Sequence, residues 1–536
     1  MNFLKSKKLY PILAAAAFIA VVILLLVVPD RFKEPDDWAY RYAVENMSHG
    51  RLTVDDTLHK QQVTEAAQQG GQLGQYVQIR DHTWAFEKSP GYVYFLIPFF
   101  LAGVPQLANM VLATGLALAT YLLLKRLKDE QTACLGVFFV LFTPIGLAMM
   151  QREYMDSFSS AAFLGIGGAL YIYYCLSANM SNQKYASITL FSAGFLLAAG
   201  VASRYTDATV AGVFAAHFII TRVLKIRQGK WSRVWREGLP LAVGAAIPIA
   251  LLLWYQYAVF GSLFTYGYEY TKGDVTFAYQ YLGDPRFWQI ISTNIRHLSW
   301  PLVIGFPLLL LSIPAGIIGS WQKITNGVGR LRKYHRNDWW PELTPGIWML
   351  MLGWVIAVFG LYVMYQWTAN QGTGRPFITV TRFYLPALFP LAMFAALLLR
   401  KIPGKLAVFS IAVAVISGGL LFAQSSTTPL AGGPPRPHSQ NQPPGQLSPA
   451  ELAKLIDGTR AEVKATPTTQ ITLQPRLDVL TRWVGELNRQ GYPVGQVIPP
   501  QEINHIQNLI SQGNIVQACI SVDTDYAKLE QLVSKP

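Results

Sequence analysis

Apolar runs of 17–21 residues recur along the chain, and nothing else in the sequence limits its fold as much. A membrane-spanning helix needs roughly 20 apolar residues, and only helices or closed barrels satisfy their backbone groups inside a bilayer. The runs cover 10–28, 106–124, 133–150, 158–176, 186–203, 207–223, 239–258, 300–320, 346–366, 384–400 and 405–423. The stretch 91–104 is apolar but broken by Pro98 and Gly103, and is too short to cross. It reads as an interfacial or re-entrant segment. The expected fold is therefore an all-α polytopic membrane protein of about eleven transmembrane helices.

Charge supports that count. Only 14% of the 536 residues are charged, against about 25% in a soluble domain. The net charge of +14 is not a nucleic-acid signal, because it lies between apolar runs. With the N-terminus inside, the inner segments hold 21 Lys/Arg and five acidic residues, and the outer loops hold 14 and 16. That asymmetry is the positive-inside pattern. It places the C-terminus outside, and counting 91–124 as two spans would reverse it. No small-residue cleavage site follows Val28, so 10–28 reads as an uncleaved first span in the plasma (inner) membrane. Cys134, Cys175 and Cys519 form neither a disulfide framework nor a ligand cluster.

Domain organisation follows from the same pattern. Residues 1–423 read as the transmembrane domain, with a long first external loop at 29–90 carrying ten acidic residues. A Pro/Gly/Ser/Gln-rich linker at 424–447 leads to 448–536, read as a small, mostly helical external module. This module shows no motif of its own.

Four charged segments fall on the same outer surface. They are Glu34-Pro35-Asp36-Asp37-Trp38, Glu87-Lys88-Ser89-Pro90-Gly91-Tyr92, Arg152-Glu153-Tyr154-Met155-Asp156 and Arg204-Tyr205-Thr206-Asp207. Ionisable groups against a membrane are costly and mark function. Carboxylates gathered with cations at a lipid–water boundary suit one kind of chemistry, in which a hydroxyl is activated while the cations hold a lipid-linked phosphate.

Pro35-Asp36-Asp37, Arg41-Tyr42-Ala43, Met47, Gly50, Phe86-Glu87-Lys88 and Gly91-Tyr92 together resemble the first loop of the aminoarabinose transferases and protein O-mannosyltransferases. These are GT-C type integral-membrane glycosyltransferases. The turn at Asp156 resembles the family's second acidic motif, and Arg382-Phe383-Tyr384-Leu385-Pro386-Ala387-Leu388 resembles the start of a late span. The likeness covers most of 1–400. It implies a polyprenyl- or dolichyl-phosphate sugar as donor, and a protein, lipid or glycan acceptor at the external face. It makes Asp36 the general base of an inverting transfer, with Asp37 and Asp156 as further catalytic carboxylates. Lys88, Arg382 and Arg204 become the cations for the donor phosphate. Glu87 matches a position that helps ligate a divalent metal in the aminoarabinose branch. The sequence departs from the pattern at Asp37, at Ser89, and at Tyr268-Glu269-Tyr270, where a metal-binding His is missing.

The rival class is a transporter or flippase. That would call for ionisable or broken segments near mid-membrane, whereas the span interiors here are nearly free of charge. A scaffold presenting the tail is a third reading.

Overall fold

The computed structural model describes residues 9–27, 35–69, 71–177, 183–226, 231–270, 276–331, 343–370, 380–401 and 506. The chain forms two compact units, Met1–Leu430 and Ala431–Pro536. The expected span 405–423, the linker and the C-terminal module lie outside the described residues.

The first unit is built of helices. In chain order they are α1 (Leu9–Val27), α2 (Pro35–Ser48), α3 (Asp56–Gln68), α4 (Gly91–Leu101), α5 (Gln106–Leu127), α6 (Glu130–Phe142), α7 (Pro144–Met150) and α8 (Asp156–Leu176). There follow α9 (Gln183–Ser203), α10 (Ala208–Ile226), α11 (Trp231–Phe260), α12 (Pro285–Gly305), α13 (Leu309–Leu331), α14 (Pro345–Val363), α15 (Gln366–Asn370) and α16 (Leu388–Leu399). Among the described residues seven helices are long and apolar enough to cross a membrane, or eight if α6 and α7, bent by 60°, form one broken span. The bend falls at Pro144, which has no N–H to continue the ladder. The protein is thus a helical, multi-pass membrane protein.

Two expectations change. The run 300–320 is two helices, because Gly305 and Pro307 end α12 and α13 starts only at Leu309. Nor is the molecule purely α. The first loop carries a three-stranded antiparallel sheet of β1 (Thr53–Asp55), β2 (Tyr76–Arg80) and β3 (Thr83–Phe86), in the order β1-β3-β2. Tyr76 faces Phe86 in register, and His82 turns the β2–β3 hairpin with a positive φ of 59°. The strands stay hidden in the sequence because short alternating segments inside a polar loop give little periodicity to read. The segment 91–104 does form a short apolar helix, α4, of 11 residues.

Packing explains why the loop is rigid. Tyr40, Phe86 and Tyr92 are buried together, with Tyr40 and Phe86 ring centroids 5.0 Å apart. They join the loop to the main core, which also takes in α5, α6, α8 and α16.

Candidate active site

Six separate stretches of chain meet at one end of the helices. They are the start of α2, the segment before α4, the α7–α8 turn, the α9–α10 turn, the segment after α11, and a 3-10 turn (Arg382–Ala387) that leads into α16.

Pro35 opens α2 with a preset φ, and Asp36 and Asp37 occupy the first turn, where the helix dipole favours negative charge. Both carboxylates are buried. Asp37 accepts from Arg152 Nε at 3.2 Å and from Arg152 Nη2 in a fork-on-fork pair. Asn109 on α5 holds that turn by donating to the carbonyls of Met150 (2.9 Å) and Arg152 (3.1 Å).

Asp36 turns toward two other cations. Its Oδ2 accepts from Arg382 Nη2 at 2.7 Å, and its Oδ1 lies 3.5 Å from Lys88 Nζ. These partners come from residues 52 and 346 positions away along the chain. Burial alone would raise the Asp36 pKa. The charges of Lys88, Arg382 and Arg152 outweigh burial and hold the carboxyl well below the usual range. Burial likewise works to lower the Lys88 pKa, but Asp36, Tyr268, Glu87 and Asp156 reverse it and keep the ammonium charged.

Two glycines position Lys88. A Cβ on Gly91 would run into the backbone of Ala202 and Ser203, and one on Gly267 would run into the backbone of Glu87. Ser89 Oγ donates to Ala202 O at 2.5 Å. The Glu87–Gly91 segment is thereby clamped between the end of α9 and the turn after α11. Lys88 Nζ also sits 5.5 Å from the Tyr268 ring centre, a cation–π contact.

Arg204 stands apart from the Asp36 pair. Its Nε lies 3.7 Å from Asp156 Oδ2 and its Nη2 donates to Tyr362 Oη at 3.0 Å. The guanidinium also lies 5.5 Å from the Phe383 ring and 5.8 Å from the Tyr362 ring. Asp207 is buried, which pushes its pKa up to about 7 despite the nearby Arg204 charge.

The metal expectation fares differently. Among the described residues no group of three His, Cys, Asp or Glu side chains could hold an ion. Glu87 is buried, and Tyr270, where the pattern would need His, stacks on Phe260 with centroids 5.5 Å apart. The residues present do not fit a divalent metal, and no step is routed through one.

Sequence alone gives Arg152 and Tyr268 no role, and it passes over Asn109 and Tyr362 altogether. The Arg152-Glu153 pair in a five-residue turn is the available signal for the first. Asn109 and Tyr362 give none, being single polar residues on apolar helices.

No family model matches the chain, and no curated protein matches it. Among solved structures it is similar to the oligosaccharyltransferase of Archaeoglobus fulgidus in the apo form, at 13% identity and a TM-score of 0.47, over 78% of this chain and 56% of that one. The same archaeal enzyme, AglB, in complex with an inhibitory peptide and a dolichol-phosphate, gives 14% and 0.43, again over 56% of its length. ArnT from Cupriavidus metallidurans bound to undecaprenyl phosphate gives 12% and 0.45, over 98% of this chain and 76% of that one. The chain therefore spans little more than half of the archaeal enzyme it matches.

Proposed function

We propose that the chain is a membrane glycosyltransferase that moves a monosaccharide from a polyprenyl- or dolichyl-phosphate carrier to an acceptor hydroxyl at the external face of the plasma membrane. The observation that carries this reading is Asp36, a buried carboxylate bridged by Lys88 and Arg382 at one end of an apolar helix bundle. Two cations converging on one point at a membrane boundary suit a lipid phosphate. A carboxylate at the same point suits an incoming hydroxyl.

The reaction divides as follows. The acceptor oxygen attacks the anomeric carbon from the face opposite the phosphate, and its proton passes to Asp36. The anomeric C–O bond breaks and its electrons stay on the phosphate oxygen, so the carrier leaves as an anion and the configuration inverts. Lys88 and Arg382 stabilise that anion, and no general acid is required. Held as it is, Asp36 is a weak base. A phosphate that takes over the two cations frees the carboxylate and restores its basicity. Asp37, sealed under Arg152, is a positioning residue that fixes the start of α2.

Transport would call for charge inside the bundle. Among the described buried ion pairs, Arg222 and Glu237 lie 2.5 Å apart beside the basic segment that links α10 to α11. This placement at a helix end supports the enzyme reading.

The test is transfer by the full chain, in lipid, from a panel of labelled polyprenyl-phosphate monosaccharides to extracted envelope acceptors. Transfer by the wild type, lost in Asp36→Asn, is the expected result. Equal transfer by Asp36→Asn would discard Asp36 as the base. Movement of the lipid-linked sugar across the bilayer without transfer would favour a flippase.

A further inference from the structure

Beside the Asp36 pair lies a second polar group that the proposed reaction leaves unused. Three of its atoms are buried with no hydrogen-bond partner: Arg204 Nη1, Asp207 Oδ2 and Tyr40 Oη. An orphaned buried polar atom costs roughly 1–3 kcal/mol, and native structures carry few of them. Three in one neighbourhood therefore call for something that supplies the missing bonds. They do share a neighbourhood, because Asp156, Asp207, Tyr40 and Tyr362 all act on the Arg204 charge, and Asp156 and Asp36 both act on Tyr40.

The chemistry of the set is specific. Arg204 Nη1 can only donate, an ionised Asp207 oxygen can only accept, and the Tyr40 phenol does either. That alternation is what a sugar's hydroxyls require, each being donor and acceptor at once. The location agrees too. Tyr40 lies one helical turn after Asp36 on α2, so the set adjoins the cations assigned to the phosphate. In a sugar phosphate the ring is bonded directly to the phosphate oxygen. Two cation–π contacts and the Tyr362 bond fix the Arg204 guanidinium in place, so its free edge is already oriented.

We propose that Arg204, Asp207 and Tyr40, with Asp156, form the subsite that reads the hydroxyls of the donor's monosaccharide. This rests on the glycosyltransferase reading and adds which side chains select the sugar. The class it fits is a polyhydroxylated, uncharged pentose or hexose.

The experiment measures affinity, not turnover. Full-length protein in nanodiscs is titrated with bare undecaprenyl phosphate and with its glucosyl, mannosyl, galactosyl, ribosyl and glucuronosyl esters. For the wild type, at least one neutral ester binds tenfold or more tighter than the bare lipid, and the glucuronosyl ester does not. Arg204→Lys and Asp207→Asn keep the affinity for bare lipid within twofold and lose most of that tenfold preference. Tyr40→Phe, which removes only the hydroxyl, loses part of it. Melting of each variant within a few degrees of wild type confirms that it is folded. Equal affinity for every ester and the bare lipid would refute the subsite while leaving the phosphate site intact. Loss of bare-lipid affinity in Arg204→Lys would move that residue into the phosphate site and also refute it. Unchanged preference in all three folded variants would mean that water alone satisfies the orphaned atoms, and would overturn the subsite as well. Failure of the wild type to bind any of these lipids would bring down the glycosyltransferase reading itself.

Discussion

Asp36 occupies the place that a donor phosphate would need. Both of its oxygens are engaged by the two cations assigned to the carrier, at 2.7 Å from Arg382 and 3.5 Å from Lys88. A lipid phosphate must therefore displace the carboxylate or share its partners. A hydrogen bond to a charged group is worth about 1.5–3 kcal/mol net, and exposure here is low enough that solvent screens little of it. Giving up one such bond costs the wild type that amount on binding, and about 1.4 kcal/mol is a factor of ten. Asp36→Asn keeps the shape, removes the charge and lifts that cost. The variant should bind bare undecaprenyl phosphate about 10–100-fold more tightly than wild type while losing transfer. The assay is displacement of a fluorescent polyprenyl phosphate from protein in nanodiscs. Lys88→Ala and Arg382→Ala serve as controls that weaken binding. A dead Asp36→Asn enzyme with unchanged or weaker lipid affinity would refute the competition, and with it the idea that donor binding releases the base.

Four further outcomes are expected. Arg152→Ala leaves Asp37 as a buried charge without its forked partner and should cost about 3–5 kcal/mol of stability, read as a lower melting temperature in detergent. Gly91→Val forces a side chain into the Ala202–Ser203 backbone and displaces Lys88, so lipid-phosphate affinity should fall by more than tenfold even though no charge is altered. Asn109→Leu removes both donors that hold the Arg152 turn; it should lower melting and transfer together, and melting lowered without any loss of transfer would separate the turn from the site. Glu153 supplies a pH test. Burial, opposed by Arg41, pushes its pKa up to about 7. The folded state thus keeps a proton that the unfolded chain releases near pH 4.3. Stability from this group is full below about pH 4 and is lost as pH rises toward 7. Glu153→Gln should flatten the fall in melting temperature between pH 5 and 7.

The parts of this molecule that a sequence reader can see are those governed by one-dimensional rules. Span length and loop charge are properties of contiguous residues, so the helical membrane fold is legible. So is the outer position of Asp36, Lys88, Asp156 and Arg204. Pairing is not legible, because it depends on which helix end faces which. Arg382 and Asp36 are far apart in the chain, yet they meet at hydrogen-bond distance. The first-loop sheet escapes because three strands of three to five residues are too short for a period to emerge. The division of cations escapes for a different reason. From sequence, Lys88, Arg382 and Arg204 are equivalent: three positive residues at one boundary. In the fold, two close on Asp36 and the third on Asp156 and Tyr362. Helix-end packing makes that division, through contacts as small as Gly91 against Ala202 and Asn109 beneath the Arg152 turn. Under the proposed roles the split is also chemical, with one pair of cations for the charge that leaves and one cation for the ring that is transferred. The measurement that separates these roles is the difference in affinity between a glycosylated and a bare lipid phosphate. Lys88→Ala should lower both affinities together, and Arg204→Lys should lower only the first.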